Sequence, residues 1–158
     1  GKFKDISTAA GPAFHTARPA RGLAVGDLDG DGQPELVIVN MNATPSVLHD
    51  NAPPAGHSIN VELTGTKSNR SAIGALATVT AGGRKQIAPV LGGSSFYSQN
   101  AFALHFGLGS ATRVDKVEVR WPNGETEAWE NFGVDRTIKV TEGRSTVEQI
   151  PFQRAMKQ

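Results

Sequence analysis

The chain has no cysteine, and its 158 residues include only two tryptophans and one tyrosine. Without thiols there is no disulfide, no zinc–thiolate site and no cysteine nucleophile, although that absence fixes no compartment. An excess of one charge is missing too. With 16 Lys and Arg against 15 Asp and Glu, no polybasic face invites nucleic acid or an anionic bilayer. No apolar run approaches a membrane span and no signal peptide is visible, so membrane insertion is not expected. The chain opens Gly1-Lys2-Phe3 with no initiator Met. It is therefore expected to be a piece of a longer protein, and a missing leader says nothing about location. Finally, no segment sustains a helical period over three turns.

What is present is punctuation: 18 glycines and 9 prolines between short Val/Thr/Ile runs, the pattern of an all-β chain. Strands are expected near Phe3–Ser7, Leu23–Val25, Leu36–Val39 and Pro45–His49. After a linker at 52–57, with Pro53-Pro54 and no periodicity, Ile59–Leu63 alternates apolar and polar residues as a half-buried strand does. Further strands are expected at 73–80, 85–91, 103–109, 114–121, 126–131 and 137–141. Val117, Val119 and Trp121 share one face, and Pro89 marks an edge or a bulge. Strands so short and so regularly spaced predict a β-sandwich or barrel. The segment 146–158 reads as a tail with room for one helical turn.

One stretch carries chemistry. In Asp27-Leu28-Asp29-Gly30-Asp31-Gly32-Gln33-Pro34-Glu35, carboxylates fall at 27, 29 and 31, with a fourth at 35. A hard divalent cation takes six to eight oxygen ligands, which an alternating acidic loop can turn inward. Gly30 and Gly32 allow the backbone to wrap around it. Without a cation, acids so close repel one another. The twelfth position of an EF-hand would fall on Ile38, and the flanks read as strands, so the loop is expected to close a tight β-hairpin. Its expected calcium ligands are Asp27, Asp29, Asp31 and Glu35 through their side chains, and Gln33 through its carbonyl. An ordinary Asp-Gly turn is the alternative, but it does not require four acids.

Candidates for catalysis are sparse. His15, His49, His57 and His105 lie far apart, with no His-x-x-x-His pair; His105 alternates with Leu104 and Phe106 and is expected to be structural or exposed. Ser94-Ser95 after Gly92-Gly93 lacks the G-x-S-x-G elbow. Glycosidase chemistry needs paired carboxylates, whereas Glu118, Glu125, Glu127 and Glu130 read as solvated strand positions. Core packing is the first reading of Trp121. The best candidates for a ligand or partner surface are Asn69, Arg70, Tyr97, Gln99, Asn100 and Trp129, with loop-pinning hydrogen bonds as the competing reading of the polar ones.

Two resemblances follow from these residues. Gly22-Leu23-Ala24-Val25-Gly26 with the acidic loop and Glu35–Asn40 resembles an FG-GAP/VCBS repeat, the calcium-binding blade unit of integrin-type β-propellers. Phe3-x-Asp5-Ile6-Ser7-x-Ala9-Ala10-Gly11 resembles the lead into such a repeat. Gly65–Ala75, Thr80–Gly83, Gly92–Asn100, His105–Gly109 and Val117–Gly124, in that order, resemble an ASPIC/UnbV domain. At His57-Ser58-Ile59 the large aromatic that this family often carries is missing.

The resemblance implies a blade at 1–51, a linker at 52–57, an ASPIC/UnbV-like domain at 58–145 and the tail, with the blade packed beside the domain or on another chain. It also implies a propeller-containing parent that is secreted, periplasmic or on the cell surface. The resulting expectation is a non-catalytic, calcium-stabilised binding or adhesion module with a protein or glycan partner. Exposed strand edges would offer a route to self-association. A carbohydrate-binding module, or part of a biosynthetic enzyme, is the alternative.

Overall fold

The structure of the protein, a computed structural model, describes residues 1–153. After a 3-10 turn at Pro12–His15 it is built of strands. In chain order these are β1 (Ala20–Gly26), β2 (Glu35–Asn40), β3 (Ser46–Leu48), β4 (His57–Thr64), β5 (Leu76–Ala81) and β6 (Arg84–Pro89). β7 (Leu104–Gly109), β8 (Arg113–Arg120), β9 (Thr126–Gly133), β10 (Arg136–Thr141) and β11 (Glu148–Pro151) follow. They make a three-stranded sheet β1-β2-β3 and two four-stranded sheets, β11-β10-β4-β7 and β6-β5-β8-β9. The two larger sheets form a β-sandwich, and the described strands do not close into a barrel.

The core lies between the two larger sheets, and strand alternation builds it. Ile59, Val61 and Leu63 on β4 point inward beside Phe106 and Leu108 of β7 and Ile138 and Val140 of β10. Ala77 and Val79 of β5 with Val117 and Val119 of β8 supply the facing layer, and Trp121 is 2% exposed among them. Burying such side chains contributes roughly 1.5–3 kcal/mol each for the larger aliphatics. β10 runs parallel to β4, Val61 opposite Ile138, so β5 to β9 form the crossover that a parallel pair requires. Where edge strands β6 and β7 approach, the Gln86 amide donates to the Gly107 carbonyl at 2.7 Å.

Two expectations change. Phe3–Ser7 forms no strand; Ala9 and Ala10 instead donate to the Ile6 carbonyl in a turn. A strand needs an edge to pair with, and the Phe3 and Ile6 side chains stay exposed. The expected tail does find an edge. β11 pairs antiparallel with β10, Ile150 opposite Thr137, and Pro151 sits where an outer strand tolerates a missing N–H. The remainder of that segment, 154–158, lies outside the described residues.

The loop after β4 is organised by one buried carboxylate. Glu142 Oε2 accepts the backbone N–H groups of Thr66, Lys67 and Ser68, each at 2.8 Å. Oε1 accepts the Ser68 hydroxyl at 3.0 Å and the Asn123 amide at 2.8 Å. Burial alone would raise this carboxyl, but the N–H donors of Ser68, Thr66 and Lys67 outweigh it and hold the group at about 2. The folded value thus lies below the ordinary 4.5. The associated stability is complete above that range and is lost as pH falls through it toward about 2. Glu142→Gln, which turns an amide NH2 or a single carbonyl toward five donors, is expected to cost about 2–4 kcal/mol. Urea denaturation at pH 7 checks the loss, and the gap between variant and wild type should shrink at pH 3.

Candidate metal centre

β1 and β2 pair antiparallel up to Gly26 opposite Glu35, so the eight residues 27–34 must turn within the width of one hairpin. Gly30 (φ 78) and Gly32 (φ 87) take the left-handed conformations that this turn demands. Asp27 Oδ1 accepts the Gly30 N–H at 2.8 Å and Oδ2 accepts the Gly32 N–H at 3.0 Å. Asp29 Oδ1 accepts from Asp31 N at 3.1 Å, and Asp31 Oδ1 from Gln33 N at 2.7 Å. The effect is to wind the chain around its own acids. One oxygen each from Asp27, Asp29 and Asp31 lies within 4.8 Å of the others. That donor set is wholly hard oxygen, which suits calcium rather than a soft transition metal.

Glu35, the expected fourth acidic ligand, stands with Asp29 and His49. It is 4% exposed; Oε2 accepts the Leu28 N–H at 2.7 Å and Oε1 lies 2.7 Å from His49 Nδ1. That bond to Glu35 raises the His49 imidazole above its ordinary range. Asp29, Glu35 and His49 form a second group with ligand atoms within 4.8 Å of one another, so Asp29 belongs to both. Gln33 sits beside Asp31, its side-chain amide 3.3 Å from Asp31 Oδ2. In the sequence His49 stands only at the end of an expected strand. The signal was the hairpin register: β2 and β3 pair with Leu36 opposite Leu48, which places residue 49 against residue 35.

The loop is fastened to the sandwich. Asn60, which the alternation of β4 turns away from the core, is 3% exposed because the acidic loop covers it. Its amide donates to Asp27 Oδ2 at 2.9 Å, and its carbonyl oxygen lies 2.9 Å from His105 Nδ1. Since Asn60 gives its N–H to Asp27, Nδ1 of His105 must carry the proton, and Nε2 of the neutral ring is an acceptor. Desolvation pushes the His105 imidazole down against the weaker pull of Asp27, which favours that neutral form. From the other side, Gln153 N donates to the Gly30 carbonyl at 2.7 Å. The Phe152 ring fills the space where a side chain on Gly32 would stand. An aromatic therefore does serve this junction, supplied from the end of the chain rather than from the region of His57. His57 Nδ1 instead lies 2.7 Å from Asp135 Oδ2.

Of the six residues read as a partner surface, Asn69, Gln99, Asn100 and Trp129 bond backbone groups. Asn69 bonds Ile73 through its carbonyl and its amide, at 2.9 and 2.8 Å, and Arg70 is exposed beside it. Trp129, on β9, donates its indole N–H to the Arg144 carbonyl at 3.2 Å. Gln99 accepts from Gly93 N and donates to the carbonyls of Leu91 and Asn100. Asn100 Oδ1 accepts the Val25 N–H at 3.0 Å, so it closes the free edge of β1. Tyr97, in the same connection, is 92% exposed.

An acidic-loop β-hairpin clamped on a β-sandwich gives the chain two parts: a hairpin whose aspartates could hold a metal ion, and an all-β domain. Family models agree. Residues 20–56 match the FG-GAP repeat, and residues 65–147 match ASPIC and UnbV. The latter covers more than half of the chain, which therefore belongs to the ASPIC/UnbV family. No individually curated protein matches the chain. An FG-GAP repeat followed by an ASPIC/UnbV domain fits a propeller-type extracellular module.

The clamp has a direct test. Gly32→Ala places a Cβ at φ 87 and into the Phe152 ring. It is expected to cost about 2 kcal/mol and to expose the 27–34 loop to limited proteolysis while the sandwich stays intact. Adding Phe152→Ala should restore no more than part of that loss, because the backbone strain at residue 32 remains.

Proposed function

We propose that the chain is a calcium-stabilised, non-catalytic binding module of an extracellular protein. One observation carries the reading: three aspartates converge in a loop whose first acid is bonded to a buried asparagine of the sandwich. Asp27, Asp29 and Asp31 would hold the ion, supplemented by Glu35 and the Gln33 carbonyl. The calcium would supply positive charge that offsets the crowded carboxylates, while the chain's own residues hold the loop against β4. The polar groups of the ASPIC/UnbV domain support a scaffolding role. Glu142 orders the 66–68 backbone, Asn69 caps its own turn, and Trp121 Nε1 donates to Glu127 Oε2 at 2.5 Å. Extracellular calcium is high enough to fill even sites with dissociation constants of about 0.1–1 mM. The FG-GAP and ASPIC/UnbV pairing is typical of extracellular or surface proteins. A protein or glycan partner completes the reading.

Calcium added to chelator-stripped protein should release or absorb heat with one-site stoichiometry and raise Tm. At a hundredfold excess over Kd the stabilisation expected from linkage is about 2.7 kcal/mol. Asp29→Asn combined with Asp31→Asn should abolish both signals and leave the calcium-free melting temperature unchanged or higher, because like-charge repulsion is relieved. A wild-type titration with neither heat nor a Tm shift would overturn the calcium assignment.

A further inference from the structure

The connection between β6 and β7 carries both a projection and a hollow. Phe96 and Tyr97 occupy the centre of a turn closed by Ser98 N donating to the Ser95 carbonyl at 3.3 Å. Tyr97 has φ 50, a left-handed conformation that bulky side chains avoid and that glycine or asparagine normally fills. Outliers of this kind persist only where surrounding structure enforces them. Here the turn is bolted along β1. Leu23 N donates to Ser95 Oγ at 3.4 Å, Ser98 Oγ to the Leu23 carbonyl at 2.7 Å, and Ala101 N to the Val25 carbonyl at 2.9 Å. Phe96 meets Tyr97 edge to face at 4.5 Å and 83°. The pair makes a wedge held out from a rigid mount, rather than the flat platform a sugar ring stacks on.

Beside it the same connection lines a cleft of about 230 Å³ between β1 and β7. Val90, Phe102 and Leu104 give it apolar walls; Ser94, Asn60, His105 and the acid Asp27 are among its polar lining. This is smaller than the roughly 300–1,000 Å³ of sites for drug-sized ligands and suits a single aromatic side chain. Its polar character is complementary to a phenol, because Nε2 of His105 is an acceptor facing no donor among the hydrogen bonds described.

We propose that this face pairs with a second copy of the chain, Tyr97 of each copy entering the cleft of the other and donating its hydroxyl to His105 Nε2. Knob and hollow on one connection satisfy the rule for a two-fold contact, in which a single patch is complementary to itself. The segment itself carries no Asp, Glu, Lys or Arg between Lys85 and Arg113, and Asp27, the acid in the cleft lining, would meet an uncharged phenol. A rigid, exposed tyrosine is among the side chains most often found to dominate an interface.

Sedimentation equilibrium of the full chain in calcium-containing buffer tests the pairing. The weight-average mass should climb from 16.7 kDa toward the dimer value with concentration. Tyr97→Ala should weaken association at least tenfold, and Tyr97→Phe by a smaller factor. Ser94→Trp, at an exposed cleft-lining position, should block the hollow, keep the knob and also abolish self-association. Mixed together, Tyr97→Ala and Ser94→Trp chains should form a heterodimer through their one intact knob and hollow. A wild type that stays monomeric at every concentration, or a Tyr97→Ala variant that associates as well as wild type, overturns the proposal.

Discussion

The hydrogen bond from Asn60 to Asp27 is the constraint on which the arrangement of the two modules depends. A strand places successive side chains on opposite faces, so the register that buries Ile59 and Val61 in the sandwich aims Asn60 at whatever lies on the outer face. A buried amide must be paired, since leaving one without partners costs about 1–3 kcal/mol. Asp27 satisfies one end and His105 the other. The acidic loop is thus read by the sandwich through its first residue. Any change in how Asp27 is held reaches β4 and β7 directly.

Around that bond, the other contacts between the modules resolve edges. β1 is the outer strand of the three-stranded sheet, and unpaired edge groups invite association with other chains. The 95–101 stretch covers it with side-chain and main-chain bonds in place of a regular strand. At the opposite side of the sandwich β11 covers β10, and the residues that follow reach across to Gly30 and Gly32. Segments that look like a surface loop and a tail are therefore the two arms that hold the hairpin. Both contact it from the ASPIC/UnbV side.

The electrostatics divide in the same way. Glu142 is a carboxylate whose anion is fully served by N–H and O–H donors of the protein itself, and it needs no ion. The aspartates of the loop also accept backbone N–H groups, yet they converge on one another within 4.8 Å. Convergence of like charges is what separates a cation cradle from an anion anchor. A negative charge at 142 organises a loop by accepting bonds, whereas the carboxylates at 27, 29 and 31 are grouped where they could hold a metal ion.

Much of this was legible along the chain. Alternation at Ile59–Leu63 and Val117–Trp121 identified core strands because one buried face imposes a period of two. The 27–35 spacing identified a hairpin loop, because only glycine at 30 and 32 allows acids at every second position to turn inward. Local rules could not reach pairings across long separations. Nothing near Glu142 announces Thr66 to Ser68, and nothing near Glu148 announces a partner in β10. Phe3–Ser7 had the look of a strand and lacked an edge to join. For the site itself, sequence determined the three aspartates and the hard-oxygen chemistry they offer. Tertiary structure alone decided that Glu35 turns to His49, that Asn60 and His105 stand behind Asp27, and that Phe152 closes over Gly32. The physical reason is that ligand type is a property of local spacing, whereas burial and hydrogen-bond partnership are set by which distant strands come to lie side by side.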